Sequence, residues 1–213
     1  AAWGSANFGQ LDIPAGLSGV VGMAMGDLHS VAVKGDGTVV VWGRNLDPKL
    51  KAPAGLSDVV AVSASAEHNL ALKRDGTVVA WGQSFSLGLQ VPTGLRGVVA
   101  IAASSNLDLA LKSDGTVVAW GSADALMNPP ANLTNIIAID VDQYHAVALK
   151  RDGTLVKWGY TYLLNIPNYV KGVNAVALGY GHTLALMTDT TAPETTLVHG
   201  PASPNPNAAT FQF

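Results

Sequence analysis

The chain has 213 residues, a net charge of −3, 48% hydrophobic residues and no cysteine. A disulfide framework and thiolate metal sites are excluded, and the acidic balance argues against nucleic acid or an acidic membrane surface as partner. No uninterrupted apolar run is long enough for a membrane-spanning helix, so short segments must build the core.

Trp3-Gly4 is the first of five Trp-Gly pairs, followed by Trp42-Gly43, Trp81-Gly82, Trp120-Gly121 and Trp158-Gly159, at intervals of 39, 39, 39 and 38 residues. Self-similarity at this period predicts stacked or radial units. In the first full unit, Val20 to Met25 reads as one strand and Ser30 to Lys34 as a second. Asp36-Gly37 is a hairpin signal, read here as a two-residue type I′ turn, and Thr38 to Trp42 is a third strand. A loop with Asn45 and Asp47 leads to a fourth segment ending at Pro53, where proline suits an edge.

The Asp-Gly-Thr triplet returns at Asp75, Asp114 and Asp152, each after a strand such as Asn69 to Lys73 or Ala146 to Lys150. Along the first strand, small residues (Gly22, Ala24; Ala61, Ser63; Ala100, Ala102) alternate with larger ones, which suits an innermost strand where backbones crowd. Four antiparallel strands per unit predict an all-β fold, a β-propeller of four-stranded blades; a linear β-solenoid is the alternative.

The segment Val59 to Gly82, with Glu67-His68, Leu70-Ala71-Leu72-Lys73, Asp75-Gly76-Thr77 and Ala80-Trp81-Gly82, resembles a bacterial repeat of the regulator-of-chromosome-condensation family. The resemblance covers residues 1–189 and implies a propeller, usually of seven blades. Among bacterial members the chain is similar to the propeller-type inhibitory proteins of β-lactamases, whose equivalent loops contact an enzyme. The nucleotide-exchange role of eukaryotic members does not carry over, since no matching surface residues are seen.

Val173 to Met187 supplies two strands of a last unit, and Trp3-Gly4 is expected to complete it and close a five-bladed ring. The family's seven blades leave two further repeats upstream as the alternative. The propeller array is thus placed at 1–189. Residues 190–213 read as a Pro/Asn-rich linker followed by Ala209 to Phe213, which resembles the truncated start of a bacterial immunoglobulin-like module. That tail implies a secreted or cell-surface bacterial protein.

Residues that recur once per unit are expected to be structural. His29, His68, His145 and His182 fall in equivalent places, with Leu107 in the third unit, so a repeated hydrogen bond is a better reading than a metal site. Lysines before each hairpin read as a solvated rim. Function is sought where the units differ. All five tyrosines fall between Tyr144 and Tyr180; Tyr144, Tyr160, Tyr162 and Tyr180 belong to loops expected on one face, and Tyr169 to the other. Clustered tyrosines offer rigid contact area with a polar tip. Phe8 and Phe85, with Asn7, Asn45, Leu46 and Leu126, lie in loops of the same face. Asp140 and Asp142 replace small residues on a first strand and are weak cation candidates, a solvated strand end being the plainer reading.

No nucleophile–base–orienter set or phosphate loop is visible, so no catalysis and no cofactor is expected. The chain reads as a non-enzymatic module binding a protein or a glycan through its loop face. The alternative is a structural spacer or self-associating adhesion unit of a larger protein.

Overall fold

The computed structural model describes residues 1–4, 7–44, 50–83, 89–121, 124–160, 166–167, 170–179 and 182–188. Tyr162, Tyr169, Tyr180, Phe85, Asn45, Leu46 and the tail 190–213 lie outside these residues. The described residues form an all-β propeller. Its first blade joins β1 (Val20–Met25), β2 (His29–Lys34) and β3 (Val39–Gly43). The second joins β4 (Val59–Ala64), β5 (His68–Lys73) and β6 (Val78–Gly82), and the third β7 (Val98–Ala103), β8 (Asp108–Lys112) and β9 (Val117–Trp120). The fourth joins β10 (Ile136–Val141), β11 (His145–Lys150) and β12 (Leu155–Gly159); a last pair, β13 (Val173–Gly179) and β14 (His182–Met187), follows.

All ladders are antiparallel and share one register: Val31 faces Val41, Leu70 faces Ala80 and Val147 faces Lys157. Each blade's first strand touches that of the next, as expected of an innermost strand, and its small residues permit the approach. Each first strand also carries a bulge after its first residue, as at Val20/Gly22 and Ile136/Ala138.

The hairpin turn differs from expectation. Gly37 N–H donates to Lys34 O (2.8 Å), Lys34 N–H donates to Thr38 O (2.9 Å), and Gly37 alone in the turn has positive φ, 81°. This is a three-residue loop whose glycine takes the left-handed position. Asp36 Oδ1 stabilises it by accepting from both the amide and the hydroxyl of Thr38.

The fourth segment also departs from a strand among the described residues. Leu56 N–H donates to Pro53 O and Leu95 N–H to Pro92 O, with Gly55 and Gly94 at φ of 78° and 79°. Proline has no N–H for a ladder, and glycine at the third place of a turn gives type II geometry. The turn instead inserts a leucine against the core: Leu95 is buried with Leu70 and Leu72, and Leu56 packs beside Val33.

The core consists of interfaces between blades. Val33 of β2 meets Ala71 and Trp81; Leu70 and Leu72 of β5 meet Ala110 and Trp120; Leu109 and Leu111 of β8 meet Ala146, Ala148 and Trp158. Each fully buried leucine contributes about 1.5–3 kcal/mol. The tryptophans latch successive repeats: the indole N–H of Trp42 donates to Gln10 O, of Trp81 to Leu50 O and of Trp158 to Met127 O, each at 3.0 Å. The expected closure through Trp3-Gly4 is not formed. Ala1–Gly4 pairs with no strand, and Trp3 is 85% exposed.

Candidate functional site

One backbone contact assembles the loop face. Arg44 N–H donates to Leu28 O, Gln83 N–H to Glu67 O and Tyr160 N–H to Tyr144 O, all at 2.8 Å. In every such blade the loop between the first two strands therefore lies beside the exit of the third. The glycine of each Trp-Gly pair makes this possible. Gly159 has φ of 101°, and a Cβ there would lie 2.5 Å from Tyr144 O. Gly82 stands in the same relation to Glu67 O, also 2.5 Å.

On the fourth blade this contact sets two tyrosines together. Their rings meet edge to face, centroids 6.5 Å apart at 77°, the geometry that the aromatic quadrupole favours. Asp142 fixes the first, its Oδ1 accepting from Tyr144 N–H (2.7 Å) and His145 N–H (2.8 Å). The Tyr160 hydroxyl donates to Asp124 Oδ2 in a short hydrogen bond. Asp124 Oδ1 accepts from Leu126 N–H at 2.9 Å and so caps the short 3-10 turn Ala125–Met127. The Tyr160 hydroxyl, then the Leu126 amide, hold the Asp124 carboxyl below its usual range. Met127 is buried beneath, while Leu126 is 56% exposed at the rim. The result is two half-buried phenol rings, a carboxylate and an aliphatic edge, anchored to a buried blade.

Of the expected aromatic residues, Tyr144 and Tyr160 come together. Phe8 does not join them: its segment seats on the first blade, where Gln10 O accepts from Ser30 Oγ and Trp42 Nε1. Asp124 and Met127 were not singled out in the sequence; the signal was an Asp two residues before Leu126, placed to cap a turn. On the same face, Arg44 Nη1 pairs with Glu67 Oε1 at 3.0 Å across the first blade junction.

Asp140 and Asp142 are not a solvated strand end: their carboxylates accept from backbone amides. Asp140 Oδ2 accepts from Leu178 N–H of the next blade (2.7 Å) and Oδ1 from Val141 N–H (2.9 Å). Ser63 Oγ takes Ala103 N–H at the equivalent place, 3.0 Å. Burial raises the Asp140 pKa against these hydrogen bonds. Asp142 is occupied by the tyrosine loop. Among the described residues no group of three His, Asp or Glu is disposed to hold a metal.

His29 and His68 join blades. His29 Nε2 lies 2.7 Å from Asn69 Oδ1, and His68 Nε2 lies 2.9 Å from Asp108 Oδ1. Ser65 Oγ sits 2.7 Å from His68 Nδ1, which completes a Ser–His–Asp chain unrecognised in the sequence. All three side chains are buried, and Ser65 Oγ also contacts the His68 amide and carbonyl. The serine thus lacks the access an attacking nucleophile needs. On the hairpin face, Lys34 pairs with Asp36 and Lys112 with Asp114, and a shallow depression of about 410 Å³ is lined by Asn135, Lys150, Arg151 and Asp152.

The sequence profile of the Regulator of chromosome condensation (RCC1) repeat matches residues 20–47 and 59–86. No curated protein sequence matches. Among solved structures, the chain is similar to yeast RCC1 (Prp20) bound to Kap60, at 21% identity and TM-score 0.56, covering 67% of this chain and 44% of that one. It is similar to the CRINKLY WD40 ectodomain of the Arabidopsis thaliana receptor kinase ACR4, at 22% identity and TM-score 0.63, covering 79% and 61%. It is also similar to the ectodomain of the Physcomitrella patens receptor kinase CR4, at 19% identity and TM-score 0.66, covering 79% and 51%. The chain spans about half the length of these structures. The repeats, their register and these likenesses together identify the fold as an RCC1-like repeat β-propeller.

Proposed function

We propose that the chain is a non-enzymatic binding module that recognises a protein through the loop face of its fourth blade. The observation that carries this is the edge-to-face pair Tyr144–Tyr160, tied by its hydroxyl to Asp124 and rimmed by exposed Leu126. Rigid aromatic area with hydrogen-bonding tips, preorganised by buried neighbours, is what binding hot spots use. Yeast Prp20 is a structure of the same fold bound to a protein, Kap60. The buried Ser65–His68–Asp108 chain favours no catalysis, and a serine-reactive fluorophosphonate should leave Ser65 unlabelled. We place the module in an extracellular or surface setting, in keeping with the two receptor ectodomains among the similar folds.

The test presents the wild-type chain and a Tyr144→Ala/Tyr160→Ala variant, side by side, to a displayed library of protein domains and to a glycan array. Domain clones that bind the wild type and lose at least tenfold against the variant, but not against Phe8→Ala, support the reading. Binders indifferent to both tyrosines, or binding confined to glycans, refute it. Thermal unfolding confirms that the variant remains folded.

A further inference from the structure

The hairpin face repeats a charge pattern that one blade breaks. The lysine at the end of the second strand is followed by Gly35 on the first blade, Arg74 on the second, Ser113 on the third and Arg151 on the fourth. On the first and third blades that lysine is neutralised locally. Lys34 Nζ lies 2.8 Å from Asp36 Oδ2, and Lys112 Nζ lies 2.9 Å from Asp114 Oδ2. On the second, Lys73 and Arg74 stand beside two carboxylates, Asp75 of the hairpin and Asp58, whose carbonyl accepts from Arg74 N–H.

On the fourth blade Asn135 holds the place of Asp58, and its carbonyl accepts from Arg151 N–H at 2.9 Å. The backbone is alike, with φ of 58° at Asp58 and 61° at Asn135, and only the charge is gone. The turns that follow add Arg96 to the second blade and Lys171 to the fourth, so the two differ by the missing carboxylate. Lys150 and Arg151 are left with Asp152, whose Oδ1 already accepts from the amide and the hydroxyl of Thr154. Asp114, across the blade junction, is engaged by Lys112. Among the described residues, Lys150, Arg151 and Asn135 make no side-chain hydrogen bond or ion pair. With Asp152 they line the open depression of about 410 Å³.

We propose that this depression docks a carboxylate side chain carried on an acidic segment of a partner protein. The Arg151 guanidinium is a planar fork that takes a carboxylate through two N–H donors. Lys150 adds a second positive charge, and the Asn135 amide adds a neutral donor. The excess charge is confined to one blade because Lys34 and Lys112 are paired, whereas a nucleic-acid backbone would need a continuous basic stripe. The site lies on the face opposite the tyrosines and does not rest on their role.

The test is fluorescence anisotropy of a labelled peptide alternating Glu and Gly, compared with its Gln counterpart and with single-stranded DNA. The wild type should prefer the Glu peptide to both, and its binding should weaken as salt rises from about 20 to 300 mM. Lys150→Ala/Arg151→Ala should weaken binding at least about fivefold. Asn135→Asp, which restores the carboxylate of the second blade on a like backbone, should weaken it too. Lys34→Ala should stay within about twofold of the wild type, since that lysine is already paired. Circular dichroism melts check that each variant is folded. Failure to bind the Glu peptide, equal binding of the Gln peptide or tighter binding of the DNA would overturn the proposal. So would undiminished binding by Asn135→Asp, or a loss with Lys34→Ala as large as with the fourth-blade variant.

Discussion

His68 Nε2 of the second blade lies 2.9 Å from Asp108 Oδ1 of the third, with both side chains buried. The same two places hold His29 with Asn69 one junction earlier and Leu107 with Ala146 one junction later. At these three junctions polar meets polar and apolar meets apolar, as the cost of a buried polar group left without a partner favours. At the fourth, His145 Nε2 and Thr183 Oγ1 hold the same places, buried and without a hydrogen-bond partner.

The coupling is measurable. His68→Leu leaves a carboxylate buried alone, where burial already raises the Asp108 pKa, and should cost about 3–5 kcal/mol. His68→Leu/Asp108→Ala copies the third junction and should recover most of that loss. Urea unfolding of the wild type, both single variants and the double variant closes the cycle. A double variant no more stable than His68→Leu would show that the pair is not coupled.

Stability should fall on mild acidification. Burial lowers the pKa values of His29 and His145 below 6.5. The unfolded chain therefore takes up protons first as pH drops. The stability these groups contribute is complete above pH 6.5 and is lost as pH falls toward their lowered folded values. Asp108 and Asp140, raised by burial, act in the opposite sense at lower pH, between 3.8 and their raised values. Urea midpoints between about pH 5 and 8 should slope upward with pH. His29→Gln, which keeps a donor for Asn69 without titrating, should flatten part of that slope. An unchanged slope would remove His29 from the account.

Glycines of equal φ should differ in importance. Gly55 has φ of 78° with open space where a Cβ would stand, whereas at Gly37, φ 81°, it would lie 2.9 Å from Asp58 N across a blade junction. Gly55→Ala bears only the left-handed backbone penalty, about 1–2 kcal/mol. Gly37→Ala adds a clash worth about 1–3 kcal/mol more. Equal losses in chemical denaturation would mean that the junction yields at Asp58.

The repeat period and the Asp-Gly signals made the blades legible, because strands β2 and β3 are set by local alternation and turn chemistry. Contacts between blades were not legible in detail. The role of Asp140 depends on Leu178 N–H, 38 residues away, and nothing local to Asp140 distinguishes a carboxylate capping a neighbour's backbone from one facing solvent. Of the fourth segment, the described part from Leu50 to Pro53 is not a strand and leads into a turn at Pro53–Leu56, which Gly55, two places past the proline, signalled by its positive φ. Of the aromatic face, the meeting of Tyr144 with Tyr160 followed from strand order. Asp124 did not, since its hydrogen bond spans 36 residues.

Trp3 offers the sharpest test of how the array ends. Trp81 is 6% exposed and its indole N–H donates to Leu50 O, so Trp81→Phe should cost about 0.5–1.5 kcal/mol for the hydrogen bond alone. Trp3 has the same neighbours in sequence but is 85% exposed, and Trp3→Phe should change stability by less than about 0.5 kcal/mol. Its emission should also be that of a water-exposed indole, readily quenched by iodide, and iodide quenching should drop when Trp3 alone is replaced. A Trp3→Phe chain as destabilised as Trp81→Phe, with quenching unchanged, would mean that Trp3 is packed in solution against the bare edge of β14. The ring would then close there after all.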